Sequence, residues 1–362
     1  YGDKLRPMDA FKDSAPAELV DCVGHDDLIV LMFTSGTTGR SKAVMLSERN
    51  FFTTVECQVK FGDAMLDYKH EHMPEDKNDV LSNFAILPLF HLGTFICLFV
   101  WACKGWALNL SADIRDFYRD LGLMHSDAIA VAPMLMEAIY KDVKRGRRAR
   151  LNGIWNPCGS SAMFDGAMLA ELAQQGMMIT QVYGMTETCG DGIINYEQDE
   201  KHIRAVGRPD DHAEYKLDET GEICIRGGCV MLGYYKDPEA TAEVLDADGW
   251  FHTGDLARVD EDGFYYITGR KKNIIILDNG ENVSPEELEN LLSKCEAVKE
   301  CIVREKGKKI CAVIYCGEAD QQTVRDFITE TNRTLPLYKR MSAVEFSTEP
   351  LPRTGTGKLL RK

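Results

Sequence analysis

Short apolar runs alternate with longer amphipathic stretches between residues 80 and 182. The apolar runs predict strands at 80–88, 106–110, 127–132, 152–158 and 178–182. The amphipathic stretches predict helices at 93–103, 113–121, 133–144 and 163–175. Strands that alternate with helices indicate a parallel sheet with right-handed crossovers, and such sheets bind ligands at the carboxyl ends of their strands.

The pattern changes in the second part of the chain. From residue 213 it consists of short β segments with turn signals, notably at 221–226 and 250–267. Beyond Gly269 it predicts a strand at 274–277, a helix that begins after Ser284, strands at 298–305 and 309–316, and a helix at 320–332. We therefore expect an α/β fold, with a parallel sheet, flanking helices and a small β subdomain over 1–269, followed by a small mobile α+β domain over 270–362.

A glycine-rich segment follows an apolar run at 28–33 that predicts a buried strand. The segment consists of Thr34, Ser35, Gly36, Thr37, Thr38 and Gly39, and Lys42 follows shortly after it. Glycines let main-chain N–H groups turn towards an anion, and hydroxyls and a lysine add further donors and charge. The segment therefore predicts a polyphosphate site, although a flexible surface turn has the same composition. It differs from the common P-loop motif, because Ser41 stands where the second glycine belongs.

Composition and charge exclude several classes of protein. The net charge of −15 disfavours general nucleic-acid binding, because nothing offsets repulsion by the phosphates. The 12 cysteines include no C-x-x-C pair, so we expect free thiols in a reducing cytoplasm rather than zinc fingers or a disulfide framework. No apolar run is long enough to span a membrane. His70 and His72, in a charged stretch at 68–79, are interpreted as solvated loop residues rather than metal ligands.

Two features leave alternatives open. The basic stretch at 141–150 is either a dock for an anionic partner such as the phosphates of CoA or, as we favour, a solvated helix end. The segment at 181–188 (QVYGMTET) ends a predicted strand, and Gly184 follows directly after Tyr183. The segment offers an aromatic face at Tyr183, a hydroxyl at Thr186 and a carboxylate at Glu187. These groups suit adenine, phosphate and Mg²⁺ respectively, although many strand–turn–helix corners have similar residues.

Further motifs occur at 88–91 (PLFH), 159–162 (GSSA), 249–256 (GWFHTGDL), 269–273 (GRKKN), 279–285 (NGENVSP) and 351–358 (LPRTGTGK). Each has an ordinary explanation when taken alone, such as a turn, a core histidine or a frayed tail. Taken together, in this order and across residues 34–358, they resemble the adenylate-forming superfamily. That superfamily includes acyl- and aryl-CoA synthetases, luciferases and the adenylation domains of peptide synthetases.

The resemblance implies roles for residues around the nucleotide. The loop at 34–39 and Lys42 would hold the pyrophosphate of ATP, and Glu187 would hold Mg²⁺. Asp255 would bind the ribose hydroxyls and Arg270 would contact the nucleotide. The segment that contains Gly159 and Ser160 would surround the adenine and the acyl carbonyl.

The resemblance also implies roles in two successive half-reactions. Lys358 would bridge the carboxylate and the phosphate during adenylation, and Lys272 would be the hinge about which the C-terminal domain rotates. The loop around Gly280 would then admit the thiol of CoA, and His91 would act as a gate to the acid site. Asn279 departs from the family pattern, which often has a second glycine there.

The stretch at 269–289 resembles fatty-acid types of acyl-CoA synthetase, and no anchor for an α-amino group is visible near the PLFH motif. We therefore expect a carboxylic acid, ATP and CoA as substrates. Two alternatives remain, namely an adenylation enzyme that loads a carrier protein and an inactive nucleotide-binding homologue.

The chain begins with Tyr1, close before the glycine-rich loop, so we expect that a domain-sized segment of the family pattern precedes it. Without that segment an apolar face would be exposed unless the chain forms a homodimer or covers it otherwise. We also expect weak ATP binding and little acyl-CoA formation from these 362 residues alone.

Overall fold

The computed structural model of the chain describes residues 24–34, 41–111, 113–160, 164–190, 192–277, 281–353 and 359–360. Its first elements are strands β1 (Leu28–Thr34) and β2 (Lys42–Ser47), which pair antiparallel. Strand β2 was not predicted, because the six residues of this strand are defined by their partners rather than by their own alternation. Lys42 lies opposite Thr34, where β1 ends and β2 begins, so the glycine-rich segment is the connection between the two strands.

Helix α1 (Glu48–His72) begins at the predicted cap. The Ser47 hydroxyl accepts a hydrogen bond from the Asn50 N–H, and the Asn50 side chain accepts one from the Ser47 N–H. The helix continues well beyond the predicted end near residue 60, because Lys69 is buried and its ammonium lies 3.0 Å from the Asp76 carboxylate.

The interpretation of 68–79 as a loop was therefore wrong for Tyr68–His72, which form the last turn of α1. The His70 ring lies 2.7 Å from an Asp79 carboxylate oxygen, and the His72 ring stacks on Tyr68 at 4.0 Å.

A six-stranded sheet forms the centre of the larger part of the chain. Its strands are β3 (Ser82–Ala85), β4 (Ala107–Leu110), β5 (Ala128–Val131), β6 (Asn156–Ser160), β7 (Thr180–Gly184) and β8 (Gly192–Asn195). They lie in the order β4-β3-β5-β6-β7-β8, and all are parallel except β8, which runs antiparallel to β7. The helices of this part are α2 (Leu92–Lys104), α3 (Phe117–Leu121), α4 (Pro133–Lys144) and α5 (Gly166–Gln174).

The two faces of this sheet belong to different apolar clusters. Ala128 packs in a cluster with Phe51 and Trp101, whereas Ile129 packs in a cluster with Phe84 and Met136. Adjacent residues of one strand point to opposite faces, so the sheet is buried on both sides by helices.

Asp127 is a buried carboxylate that joins three strands of this sheet. It accepts hydrogen bonds from the Ser82 N–H at 2.7 Å, the Ser82 hydroxyl at 2.8 Å and the Trp155 indole N–H at 3.0 Å. These donors precede or begin strands β3 and β6, so one side chain holds both strands to the start of β5.

A second sheet contains β9 (Ala213–Leu217), β10 (Glu222–Gly227), β12 (Phe251–Val259) and β13 (Tyr265–Arg270), all antiparallel, in the order β13-β12-β10-β9. The short strand β11 (Gly233–Tyr234) leaves this region to pair with β2, and helix α6 (Pro238–Ala242) follows it. This sheet corresponds to the predicted small β subdomain.

The remaining elements are β14 (Ile275–Ile276), β15 (Asn282–Val283), α7 (Pro285–Leu292), β16 (Glu300–Lys306), β17 (Lys309–Tyr315), α8 (Gln321–Thr334) and β18 (Ala343–Ser347). They share their own apolar cluster, which includes Leu288, Ile314 and Ile328. Strand β18 was not predicted; it pairs parallel with β17. The predicted fold class is confirmed, while the division at 269/270 stays a prediction.

Strand β1 forms as predicted, but the prediction that it is buried was wrong, because it is the edge strand of a three-stranded sheet and exposes several apolar side chains, among which Phe33 is 69% exposed. Among the described residues, no helix is both long and apolar enough to cross a lipid bilayer.

We predict that Asp127→Ala lowers the free energy of unfolding by about 3 kcal/mol, because it leaves buried N–H and hydroxyl donors without their acceptor. Urea denaturation monitored by circular dichroism measures this change. The control is Asp79→Ala, which removes an exposed carboxylate paired with His70 and should change stability by less than about 0.5 kcal/mol. Equal effects of both substitutions would show that Asp127 does not hold the strands together.

Candidate active site

The predicted site residues Tyr183, Asp255 and Arg270 meet where the two large sheets approach each other. Tyr183 lies near the carboxyl end of β7, in the parallel sheet. Asp255 lies within β12, directly opposite Arg270 at the end of β13. Tyr183 and Asp255, which are 72 positions apart in the sequence, are thus in direct contact.

Asp255 is the centre of this cluster. Its carboxylate is 4% exposed; one oxygen accepts a hydrogen bond from the Tyr183 hydroxyl at 3.2 Å, and the other lies 2.8 Å from Arg270 Nε. Burial, and next the charge of Asp255, raise the pKa of Tyr183 well above its usual value. The phenol is therefore neutral at physiological pH and donates a hydrogen bond to the carboxylate.

A second cluster joins Lys42 to Glu187 through a residue that the sequence did not predict. The Tyr234 hydroxyl donates a hydrogen bond of 2.9 Å to the Glu187 carboxylate, and the Lys42 ammonium lies 4.4 Å from the centre of the Tyr234 ring. Burial, and next the charge of Glu187, raise the pKa of Tyr234. The side chains predicted to hold phosphate and metal therefore contact the same tyrosine, Lys42 at the ring and Glu187 at the hydroxyl.

A cleft of about 330 Å³ adjoins the Asp255 cluster and is lined by Thr253, Gly254, Arg270, Lys271 and Lys272. It therefore combines the predicted nucleotide contact, Arg270, with the predicted hinge, Lys272.

Glu222, another residue that the sequence analysis missed, binds two of the residues that line this cleft. Glu222 is 3% exposed, and it accepts hydrogen bonds of 2.7 Å from the Gly254 N–H and from the Lys271 ammonium. The hydrogen bond with Glu222 is the main cause of the raised pKa of Lys271. At Gly254 the main chain has φ of 72°, a conformation that favours glycine. Glu222 thus ties the main chain at Gly254, within β12, to Lys271, the residue before the predicted hinge.

Other predicted residues lie in the expected elements. Gly159 is buried in β6, next to β7, and a Cβ added there would lie 2.5 Å from the Phe164 ring. Thr186 begins the turn that follows β7, and His91 is an exposed residue at the N-terminal end of α2.

Several predicted site residues fall outside the described part of the chain. They are Ser35, Gly36, Thr37, Thr38, Gly39, Gly280 and Lys358, together with the side chain of Ser160.

Two arginines of the basic stretch at 141–150 contact other groups of the fold. Arg150 lies 3.1 Å from the buried Asp142 carboxylate and 3.8 Å above the Tyr118 ring, and Arg148 donates to main-chain carbonyl groups after α5. These contacts favour the structural interpretation of the stretch over a dock for CoA.

Two protein families match most of the chain. The AMP-binding enzyme family matches residues 3–235, and the AMP-binding enzyme C-terminal domain matches residues 287–358. The chain belongs to the AMP-binding enzyme family. The resemblance inferred from the motifs is thereby confirmed.

Members of the AMP-binding family with different substrates resemble the chain to a similar degree. The chain is 30% identical to 4-coumarate–CoA ligase 3 of Oryza sativa subsp. japonica, over 97% of the chain and 66% of that protein. It is also 30% identical to a long-chain-fatty-acid–CoA ligase of Salmonella typhimurium, over 93% of the chain and 61% of that protein. The chain thus spans slightly less than two thirds of the length of these two relatives.

Among solved structures of this family, o-succinylbenzoate CoA synthetase from Bacillus subtilis in complex with ATP and magnesium ion resembles the chain with a TM-score of 0.75 and 25% identity. The match covers 96% of this chain and 72% of that enzyme. The same enzyme has also been solved with its acyl-adenylate intermediate.

The residues that the sequence analysis missed had weak local signals. Tyr234 follows Gly233 in a short loop-like segment, and only its pairing with Val44 of β2 places it beside Lys42. Glu222 stands at the start of an apolar strand, an unusual position for a carboxylate that is buried. The one signal in the sequence was a glutamate at the start of an apolar strand.

We predict that Tyr234→Phe lowers the free energy of unfolding by about 1.5 kcal/mol, because it removes a hydrogen bond to a charged, partly buried carboxylate. Chemical denaturation in urea measures the effect. Tyr235→Phe is the matched control, since Tyr235 is the next residue and is 44% exposed; it should change stability by less than about 0.5 kcal/mol. If the two variants are equally stable, the contact with Glu187 contributes nothing.

Proposed function

We propose that the protein containing this chain is an acid–CoA ligase that forms AMP. In the first half-reaction the carboxylate of an acid attacks the α-phosphate of ATP, which gives an acyl-adenylate and releases pyrophosphate. In the second, the thiol of CoA attacks the acyl carbon, and AMP leaves. The motifs of the chain support this proposal, because their resemblance to the family pattern implies residues for both steps.

The observation that carries this proposal is the cluster of Tyr183, Asp255 and Arg270. A buried carboxylate held between a phenol and a guanidinium is poised to accept hydrogen bonds from two vicinal hydroxyls, as on a ribose. The cluster lies at the carboxyl end of a parallel strand, where sheets of this type bind nucleotides. The similarity to an enzyme solved with ATP supports the same assignment.

The phosphates of ATP would extend from this cluster towards Lys42. Attack by a carboxylate on a phosphate brings like charges together, so the barrier is largely electrostatic and cationic groups lower it. Lys42 and the N–H groups of residues 34–39 would stabilise the leaving pyrophosphate, and Lys358 would bridge the carboxylate and the α-phosphate. Thr186 would donate its hydroxyl to a phosphate oxygen.

The residues around Glu187 suit a magnesium ion. Mg²⁺ prefers oxygen ligands and is often held by one carboxylate together with phosphate oxygens. The Glu187 carboxylate accepts a hydrogen bond from the Tyr234 hydroxyl, which orients it near Lys42. Bound there, Mg²⁺ would neutralise charge on the phosphates.

The second half-reaction requires a different arrangement of the C-terminal residues, because Lys358 would block the approach of a thiol. We propose that residues 270–362 form a domain that rotates about Lys272 and brings the loop around Gly280 to the acyl-adenylate. The contact of Lys271 with Glu222 adjoins this hinge and would restrain it on one side.

The acid is proposed to be a fatty acid, with His91 as the gate to its site. The absence of an α-amino anchor near the PLFH motif supports an acid without an amino group, and one similar ligase acts on long-chain fatty acids. Another relative is a 4-coumarate ligase, so aromatic acids are the direct competitors.

The test of this function uses the full-length natural protein with ATP, Mg²⁺ and a panel of saturated fatty acids, 4-coumarate and amino acids. We expect acid-dependent exchange between ATP and pyrophosphate, followed by CoA-dependent release of AMP, with fatty acids the best substrates. Asp255→Asn serves as a control, because it should weaken ATP binding with every acid and leave the order of the acids unchanged. Exchange that depends on amino acids, or none with any acid, would contradict the proposal.

We predict that Lys358→Ala slows formation of the acyl-adenylate by roughly 10²- to 10³-fold, since one donor to the transition state is lost. The reaction of supplied acyl-adenylate with CoA should change little. Rapid-quench measurement of each half-reaction separates the two effects. Lys309→Ala, an exposed lysine at the start of β17, should affect neither step. Equal losses in both half-reactions would remove Lys358 from its assigned role.

A further inference from the structure

A cluster of three different metal-binding side chains lies away from the nucleotide residues. It consists of Cys57 on α1 and Asp210 and His212 in the segment that leads into β9. Their sulfur, oxygen and nitrogen atoms all lie within 4.8 Å of one another. Cys57 and Asp210 are 153 residues apart in the sequence, so only the folded chain brings them together.

The three side chains converge on one oxygen atom. The Cys57 thiol donates to Asp210 Oδ2 at 2.8 Å, and His212 Nδ1 lies 3.0 Å from the same oxygen. The other carboxylate oxygen of Asp210 accepts a hydrogen bond of 3.0 Å from the His212 main-chain N–H. The carboxylate and the imidazole are therefore held in place by the short turn between them.

The imidazole of His212 has an unmet hydrogen-bonding capacity within this cluster. Its side chain is 10% exposed, and within the described part of the chain Nδ1 is buried without a hydrogen-bond partner. The Asp210 oxygen that lies 3.0 Å from Nδ1 also accepts a hydrogen bond from the Cys57 thiol. A buried imidazole nitrogen in this state is unfavourable, and a metal ion would satisfy it.

Access and charge also suit an ion at this position. Cys57 is 3% exposed, whereas the Asp210 carboxylate is 37% exposed, so an ion can approach from the carboxylate side. In the described part of the chain, no lysine or arginine is paired with Asp210. This distinguishes the cluster from two others, at Asp218/Cys224/His252 and His202/Asp260/Asp262, where the ammonium of Lys271 or Lys201 already lies beside a carboxylate.

We propose that Cys57, Asp210 and His212 form a binding site for a zinc-type divalent ion. One thiolate, one imidazole nitrogen and one carboxylate oxygen supply three ligands, and water supplies the fourth position of a tetrahedral site. Binding releases the proton of the Cys57 thiol to solvent. Magnesium does not fit this site, because it prefers oxygen ligands alone.

An ion at this site would connect two parts of the fold. It would link α1, which follows the strand that carries Lys42, to the segment before β9, in the sheet that carries Asp255. We therefore expect zinc to stabilise the protein in addition to any effect on catalysis, since a ligand that binds only the folded state raises the unfolding temperature.

The test begins with metal-free protein titrated with Co²⁺, which replaces Zn²⁺ and reports thiolate ligation by a charge-transfer absorption in the near ultraviolet. We expect saturable absorption in the wild type and its loss in Cys57→Ser. Asp210→Asn and His212→Gln should weaken binding at least about tenfold. Cys224→Ser is the matched control, because it removes the buried cysteine of a different cluster and should leave the absorption unchanged.

Thermal unfolding with Zn²⁺ provides the second readout and does not depend on the cobalt spectrum. Zn²⁺ should raise the unfolding temperature of the wild type and of Cys224→Ser, and should leave that of Cys57→Ser unchanged. Circular dichroism establishes that each variant is folded, and His212→Gln tests the site separately if Cys57→Ser does not fold. Retention of the cobalt absorption in a folded Cys57→Ser variant, wild-type affinity for Co²⁺ in a folded His212→Gln variant, or loss of the absorption in Cys224→Ser, would overturn the proposal.

Discussion

The buried carboxylate of Asp255 is the interaction on which the proposed nucleotide site depends. A charge in the interior is stable only if charged or hydrogen-bonding partners surround it, and here the partners are Tyr183 from the parallel sheet and Arg270 from the end of β13. The carboxylate therefore joins the two large sheets at one point. Arg270 stands two residues before Lys272, the predicted hinge, so the same contact adjoins the predicted start of the C-terminal domain.

Local concentration of charge is a second requirement, since the chain as a whole carries a net charge of −15. Any site for ATP must supply its own positive potential over a short distance. The structure places Lys42 over the Tyr234 ring and Arg270, Lys271 and Lys272 around one cleft. Carboxylates pair with Arg270 and Lys271 and hold these two side chains in position, whereas Lys42 lies over an aromatic ring.

Much of the fold was predictable because local pattern and final structure agree. The alternation of strands and helices between residues 80 and 182 corresponds to β3–β7 of the six-stranded sheet and its helices, whereas β8 was not predicted. The residues around Ser47 mark the start of α1 correctly. The errors occurred where distant contacts decide the structure. Strands β2 and β18 are short and are defined by their neighbours, and the end of α1 depends on the burial of Lys69 by residues after the helix.

The sequence by itself determined the family, the order of the motifs and the chemical groups available to the site, because each motif is contiguous and its residue types are specific. Tertiary structure alone decided which groups meet. Tyr234 and Glu187, Glu222 and Lys271, and Cys57 and His212 come from segments whose local patterns say nothing about each other. Hydrophobic periodicity specifies which face of an element is buried, whereas contacts between side chains depend on how the buried faces of different elements are stacked.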